Sequence, residues 1–300
     1  MLVNLNRVGN IFIETRGRLM FDDTVVDDTE GGEKDECLFD GTSEFVNGES
    51  KDIYFTIANM FPQDVGKAKS TKERQDENLL DTNLVYSEIY YDTFAIVIEK
   101  IKSKYGRPLV GNSGHGGFLQ RPGGKFYDLG SGCGKPCLAA AILHNFDVCI
   151  GVEKLKGLYE ASLEVQHAYD IKGKTRMPRD FDTEVRYVHG DMLARDTLSL
   201  SSHNWVDGDV VFTNSTCFDD KTFRKLADIA VGMKKGSFFI TFSERLPVAD
   251  FTVVDVTIMM QSWGYAKVYI MQKNTDPRLP DRGSAAGLVI EGEEKDVQPE

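Results

Sequence analysis

The chain predicts an α/β fold: a doubly wound, mostly parallel sheet of seven strands that ends in an antiparallel hairpin and follows an N-terminal accessory segment. Three observations lead there. From about Asp81 onward, short apolar runs alternate with segments of helical apolar spacing. A glycine-rich turn, Gly130-Ser131-Gly132-Cys133-Gly134, falls between a strand and a helix. The last two strand-like runs have no helix between them and are joined through Ser262-Trp263-Gly264-Tyr265, a hairpin pattern.

Residues 1–80 form the accessory segment. It opens with a strand-like run, Asn10-Ile11-Phe12-Ile13-Glu14. Residues 22–36 carry eight acidic residues and one lysine, too little apolar area to offset ordering entropy, so they are read as a flexible loop. Apolar character returns at Ile53-Tyr54-Phe55-Thr56-Ile57. The polar stretch Gln63 to Asn78, with Lys67, Lys69, Lys72 and Arg74, is read as a solvated helix or loop, with a basic contact patch as the alternative. The main domain spans residues 81–275. Phe94, Val97, Ile98 and Ile101 give Tyr91 to Lys104 helical spacing. A glycine-rich loop, Gly111 to Gly124, leads into the strand Lys125 to Leu129. Pro136 stands in the first turn of a helix, where proline is tolerated, and Leu138 to Leu143 continues it. Val148 to Val152 is a strand, Leu155 to Tyr169 a helix, Glu184 to Val188 a strand and Asp209 to Thr213 a buried strand. Lys221 to Met233 is a helix and Ser237 to Phe242 a strand, and Thr252 to Gln261 with Lys267 to Gln272 forms the hairpin. Residues 276–300 are an acidic tail expected to be disordered.

Composition excludes some functions. The 300 residues are 41% hydrophobic and 27% charged, ordinary globular material. No stretch approaches the roughly 20 apolar residues of a membrane span, and Met1 to Asn10 lacks the apolar region of a signal peptide. The five cysteines contain no CxxC pair. Cys133 and Cys137 have no second pair beside them, which argues against zinc and fits a reducing compartment. The five histidines show no ligand spacing, and none is assigned to catalysis. A net charge of −12 argues against nucleic acid as the main partner and suits a basic protein better.

The glycine turn reads Asp128-Leu129-Gly130-Ser131-Gly132-Cys133-Gly134-Lys135. A dinucleotide fingerprint needs a third glycine at 135, where Lys135 stands. The GxGxG spacing suits S-adenosylmethionine better than a pyrophosphate, and Asp128 suits a donor that carries ammonium and sulfonium charge. Glu153 closes the next strand, where a carboxylate can accept ribose hydroxyls. Asp191, in His189-Gly190-Asp191-Met192, offers a carboxylate for the adenine amino group, and Met192 an apolar side chain for the ring. Three successive strands thus end in acids at one sheet edge.

Further segments carry a family resemblance. Val85-Tyr86-Ser87-Glu88 resembles the Tyr-Gly-Glu motif of the disruptor-of-telomeric-silencing histone methyltransferases, and the glycine turn and Gly151-Val152-Glu153-Lys154 are similar to that family's donor-binding motifs. Phe212-Thr213-Asn214-Ser215-Thr216-Cys217-Phe218 resembles its strand-end asparagine segment. The likeness covers roughly residues 81 to 273 and is greatest to compact protist members, kinetoplastid ones included. It implies a class I methyltransferase fold that transfers methyl to a lysine on the globular core of nucleosomal histone H3, in the nucleus. It also implies that Tyr86 closes the site, Asn214 positions donor or amine, and Trp263 and Tyr269 line a lysine channel. The implied cofactor set is Tyr86, Glu88, Asp128, Gly130, Ser131, Gly132, Gly134, Lys135, Glu153, Asp191, Met192 and Asn214, with S-adenosylhomocysteine as product and no metal. The sequence departs from the pattern at Ser87 (usually glycine), at Lys135 (often uncharged) and at Thr216 (an aromatic in some relatives). Its tail is acidic where larger relatives carry a basic extension.

The chemistry is coherent. Only roughly one lysine in a few thousand is neutral at pH 7; an apolar aromatic channel favours the neutral amine by desolvation and holds a methylated cation by cation–π contact. The donor motifs serve equally a methyltransferase for a non-histone protein, a tRNA or a small molecule, or a donor-binding chromatin adaptor without turnover.

Overall fold

The computed structural model describes residues 6–8, 11–13, 19–21, 48–79, 82–105, 119–194 and 204–278. The chain divides into two compact units, Met1–Gly41 and Thr42–Glu300. In the first, β1 (Asn6–Val8), β2 (Ile11–Ile13) and β3 (Leu19–Phe21) form an antiparallel sheet in that order, with β2 inside the strand-like run of the sequence. The acidic stretch 22–36, residues 111–118 of the glycine-rich loop and the tail beyond Arg278 lie outside the described residues.

The second unit is built on a seven-stranded sheet: β4 (Lys125–Leu129), β5 (Val148–Glu153), β6 (Glu184–His189), β7 (Val210–Thr213), β8 (Phe238–Phe242), β9 (Phe251–Gln261) and β10 (Gly264–Lys273). Their order is β6-β5-β4-β7-β8-β10-β9; β4 to β8 pair in parallel, and β10 runs antiparallel to both neighbours. The expected hairpin has a tighter turn than its sequence suggested. Gln261 already pairs with Gly264, so Ser262 and Trp263 make the bend and Tyr265 belongs to the strand.

Alternation along the central strands feeds two apolar layers. Phe126 and Phe212 point into one, with Phe94, Ile98 and Leu138; Tyr127 and Val211 point into the other, with Trp205, Phe223 and Leu226. The first layer is covered by α1 (Glu49–Ala58), α3 (Tyr91–Lys100), α4 (Lys135–Leu143) and α5 (Lys156–Ala168), the second by α6 (Asp220–Ala230). Both faces being covered, β4, β5, β7 and β8 read as near-continuous apolar runs. The Ile53–Ile57 run gives no clear period alone. Extended back to Ser50, its buried positions 50, 53, 54 and 57 form one helical face, and α1 packs on α4. The polar stretch is helix α2 (Gln63–Asp76), which packs on α5. Glu73 fixes that contact by accepting from Lys156 N (2.6 Å) and Gly157 N (2.7 Å) at the start of α5, where a carboxylate complements the helix dipole.

Strand order reverses between β4 and β7, which pair side by side although β5 and β6 intervene in the chain. Thr213 Oγ1 donates to Leu129 O across this junction (2.8 Å). A crevice outside the carboxyl ends of the strands is expected there.

Candidate cofactor and active site

The crevice exists, as a cleft of about 150 Å³ that opens to solvent. Its floor is the turn after β4. Its flanks are the ends of β5 and β6, the segment after β7 and the loop over residues 83–89.

Asp128, at the end of β4, is 1% exposed, and neither carboxylate oxygen has a hydrogen-bond partner among the described residues. Burial, reinforced by the nearby Glu153 carboxylate, pushes its carboxyl well above the usual range. Ser131 Oγ, in the same turn, is likewise buried without a partner. Glu153 ends β5 and holds the turn: one oxygen accepts from Gly132 N (2.7 Å), the other from Leu155 N (2.8 Å). Burial raises its pKa while these backbone bonds oppose the rise. Each oxygen keeps a second acceptor site. Asp191, beyond β6, accepts from Leu193 N (2.9 Å) and pairs with Lys154 (3.1 Å), and Met192 lines the cleft beside it.

Tyr86 reaches into this floor from the overlying loop. A Cβ at Gly132 would lie 2.5 Å from the Tyr86 ring, and a Cβ at Gly66, in α2, would overlap the ring from the other side. The ring is therefore clamped between a helix and the cofactor turn. Its hydroxyl donates to Glu88 Oε1 (2.6 Å), and burial holds the phenol well above its ordinary pKa, so it serves as a donor and not as a base. Glu88 also receives Lys135 Nζ at 2.7 Å on both oxygens, with both side chains mostly buried. Two residues assigned separately to the donor are thus each other's counter-ions.

Asn214, the first residue after β7, donates through Nδ2 to Ser87 Oγ (2.9 Å). Asn83 Oδ1 accepts from Asp219 N (2.7 Å), and Asp219 caps α6 by accepting from Thr222 N. The covering loop is therefore tied twice to the segment after β7.

Of the sequence-assigned residues, Tyr86, Glu88, Asp128, Gly130, Ser131, Gly132, Lys135, Glu153, Asp191, Met192 and Asn214 line the one cleft. Gly134, Trp263 and Tyr269 do not. Gly134 is required by packing: a Cβ there would overlap Tyr187, whose hydroxyl donates to Gly134 O (2.7 Å). Trp263 packs with Phe242, ring centroids 6.3 Å apart, on the layer that contains Phe94. Tyr269 in β10 packs with the opposite layer, whereas Trp263 stands in the bend before that strand, so the two aromatics assigned to one channel are separated. The aromatics that do line the cleft, besides Tyr86, are Phe212 and Phe218. Phe218 stood in the strand-end segment without a role. Gly66 had been passed over, although a glycine inside a helix is itself a signal, since it costs about 1 kcal/mol relative to alanine.

Residues 119–261 match the model of a family described as histone methylation protein DOT1. That segment, just under half of the chain, is similar to the DOT1 family. The matched span runs from before β4 to the end of β9, and so holds the glycine turn, all three strand-end acids and Asn214. The match to that family's model and the doubly wound sheet with its terminal hairpin make this protein an S-adenosylmethionine-dependent methyltransferase of class I fold. The residues fit that cofactor. An anionic pair of acceptors buried without a protein partner, at Asp128, suits a cationic donor. Among the described residues there is no cluster of three or more metal-ligating side chains, and no helix is long and apolar enough to cross a membrane. No curated protein matches the chain. Similar solved structures include a putative O-methyltransferase from Klebsiella pneumoniae (10% identity, 75% of this chain and 97% of that one, TM-score 0.44). Others are the putative methyltransferase yhhF from Escherichia coli (10%, 51% and 77%, TM-score 0.38) and TrmN from Thermus thermophilus (14%, 51% and 45%, TM-score 0.39). At these TM-scores the likenesses carry no part of the assignment.

Proposed function

We propose that this protein transfers a methyl group from S-adenosylmethionine to a lysine amine on the globular core of nucleosomal histone H3, in the nucleus. The observation that carries this reading is the meeting of the Tyr86–Glu88 loop and Asn214, segments far apart in the chain, across one cleft at the carboxyl edge of the sheet. S-adenosylmethionine supplies an activated methyl group, so the protein's task is placement. Asp128 would hold the donor's cationic end, Glu153 its ribose, and Asp191 with Met192 its adenine. Lys135 neutralises Glu88, whereas Asp128 has neither a counter-ion nor a hydrogen-bond partner among the described residues. Phe212, Phe218 and the clamped Tyr86 ring exclude water, which favours the neutral, nucleophilic form of an entering amine. Asn214 orients donor or amine through its amide. Trp263 and Tyr269 remain assigned to the acceptor side only if the acceptor enters outside this cleft. Residues 81–275 are the catalytic segment, preceded by accessory residues 1–80 and followed by the tail 276–300.

Radiolabelled methyl transfer to nucleosomes, free histones and tRNA, followed by mass spectrometry of the labelled histone, tests the reading. Label on a core lysine of histone H3 is expected. Label on tRNA alone, or none on any substrate, would overturn it.

A further inference from the structure

We propose that Thr216 is a positioning residue, which together with Ser87 holds the Asn214 amide in place from both ends. The proposal rests on the reading of Asn214 as the residue at the reacting centre. An amide side chain has a donor end and an acceptor end, and its two flips present opposite chemistry to a ligand. Asn214 is contacted at both ends. Thr216 Oγ1 donates to Oδ1 at 2.9 Å, and Nδ2 donates to Ser87 Oγ at 2.9 Å. A hydroxyl alone could satisfy either flip, because it both donates and accepts. Ser243 Oγ lies behind Thr216 at 3.4 Å from its Oγ1, so the two flanking hydroxyls fix the plane of the amide and either flip keeps both contacts.

Ser243 is held at φ 71, a left-handed conformation unusual for serine, and its backbone N–H is fixed to Lys267 O at 2.8 Å. Ser243, Thr216, Asn214 and Ser87 thus form one continuous row of polar side chains beside the end of β8. Thr216 does not line the cleft, whereas Asn214 and Ser87 do, so Thr216 acts through Asn214. Two of the three positions where this sequence departs from the family pattern, Ser87 and Thr216, are the ones that grip the asparagine. The departures compensate one another within one network and also fasten the covering loop.

The test compares Thr216→Val, Thr216→Ser, Ser87→Ala and Asn214→Ala by steady-state methyl transfer, with donor affinity measured by calorimetry and folding by thermal melting. Thr216→Val removes the hydroxyl at nearly constant volume. It is expected to lower kcat about three- to tenfold, the rate equivalent of one hydrogen bond, with donor affinity unchanged. Thr216→Ser should restore the rate. Ser87→Ala should give a similar loss, and the double variant less than the product of the two, because both act on one amide. Equal losses in Thr216→Val and Thr216→Ser would overturn the proposal in favour of simple packing. Wild-type kcat in Thr216→Val and Ser87→Ala, with Asn214→Ala inactive, would overturn it while leaving the reading of Asn214 intact. Wild-type kcat in Asn214→Ala would remove that reading and the proposal with it.

Discussion

Asp128 is the side chain whose environment asks most for a ligand. Its carboxyl is buried, unpaired within the protein and pushed toward protonation by desolvation. A cationic donor binds the ionised form, so binding must draw the pKa back down and release a proton. Calorimetry of S-adenosylmethionine binding over a series of pH values, in two buffers of different ionisation enthalpy, should therefore report proton release on the acid side, and affinity should rise with pH. Asp128→Asn should weaken binding by about tenfold or more and abolish the proton signal; an unchanged affinity would remove Asp128 from the donor site. His144, at the end of α4, carries a separate pH dependence. Burial, opposed by its contact with Gly123 O, lowers its pKa to about 4. The unfolded chain binds the proton more readily, so this residue costs stability as pH falls from about 6.5 to 4, at most about 3 kcal/mol, with no further loss below. Denaturant midpoints of wild type and His144→Gln should diverge across that window and run parallel above it.

At the scale of elements, the contact that organises the site is α2 against the covering loop. Gly66 lets the helix approach until the Tyr86 ring lies between it and Gly132. Gly66→Ala would gain helix propensity yet force ring and helix apart. Overpacking of this kind costs about 1–3 kcal/mol, more than the propensity gain of about 1 kcal/mol. The variant should melt several degrees lower and bind S-adenosylhomocysteine more weakly. A raised melting temperature with unchanged affinity would mean that the ring is not clamped. Neither the contact nor the helix face was legible from residues 49–76 read alone. The buried positions of α2 are only Gly66 and Ser70, so the helix has almost no apolar stripe, and its docking depends on Glu73 at the start of α5.

For the whole molecule, the larger compact unit contains the complete seven-stranded sheet, both apolar layers and the cleft. A chain lacking residues 1–41 should therefore keep its melting transition and donor affinity; loss of either would show that the first unit supports the second. Much of this unit was legible beforehand because its physics is local. Apolar periods fixed every strand of the large sheet to within two or three residues. The glycine turn and the strand-end acids Asp128, Glu153 and Asp191 follow from the rule that such sheets bind ligands at their carboxyl edge. What pairs across the chain was not legible. Lys135 and Glu88 neutralise one another, Tyr187 and not a ligand explains Gly134, and the bend before β10 turns Trp263 to the layer opposite Tyr269. The sequence by itself determined the order of elements and which acids end the strands, since these depend on spacing along one segment. Only the tertiary structure decided which of those side chains share a cleft, because that depends on contacts between residues more than a hundred positions apart, such as Asn214 with Ser87.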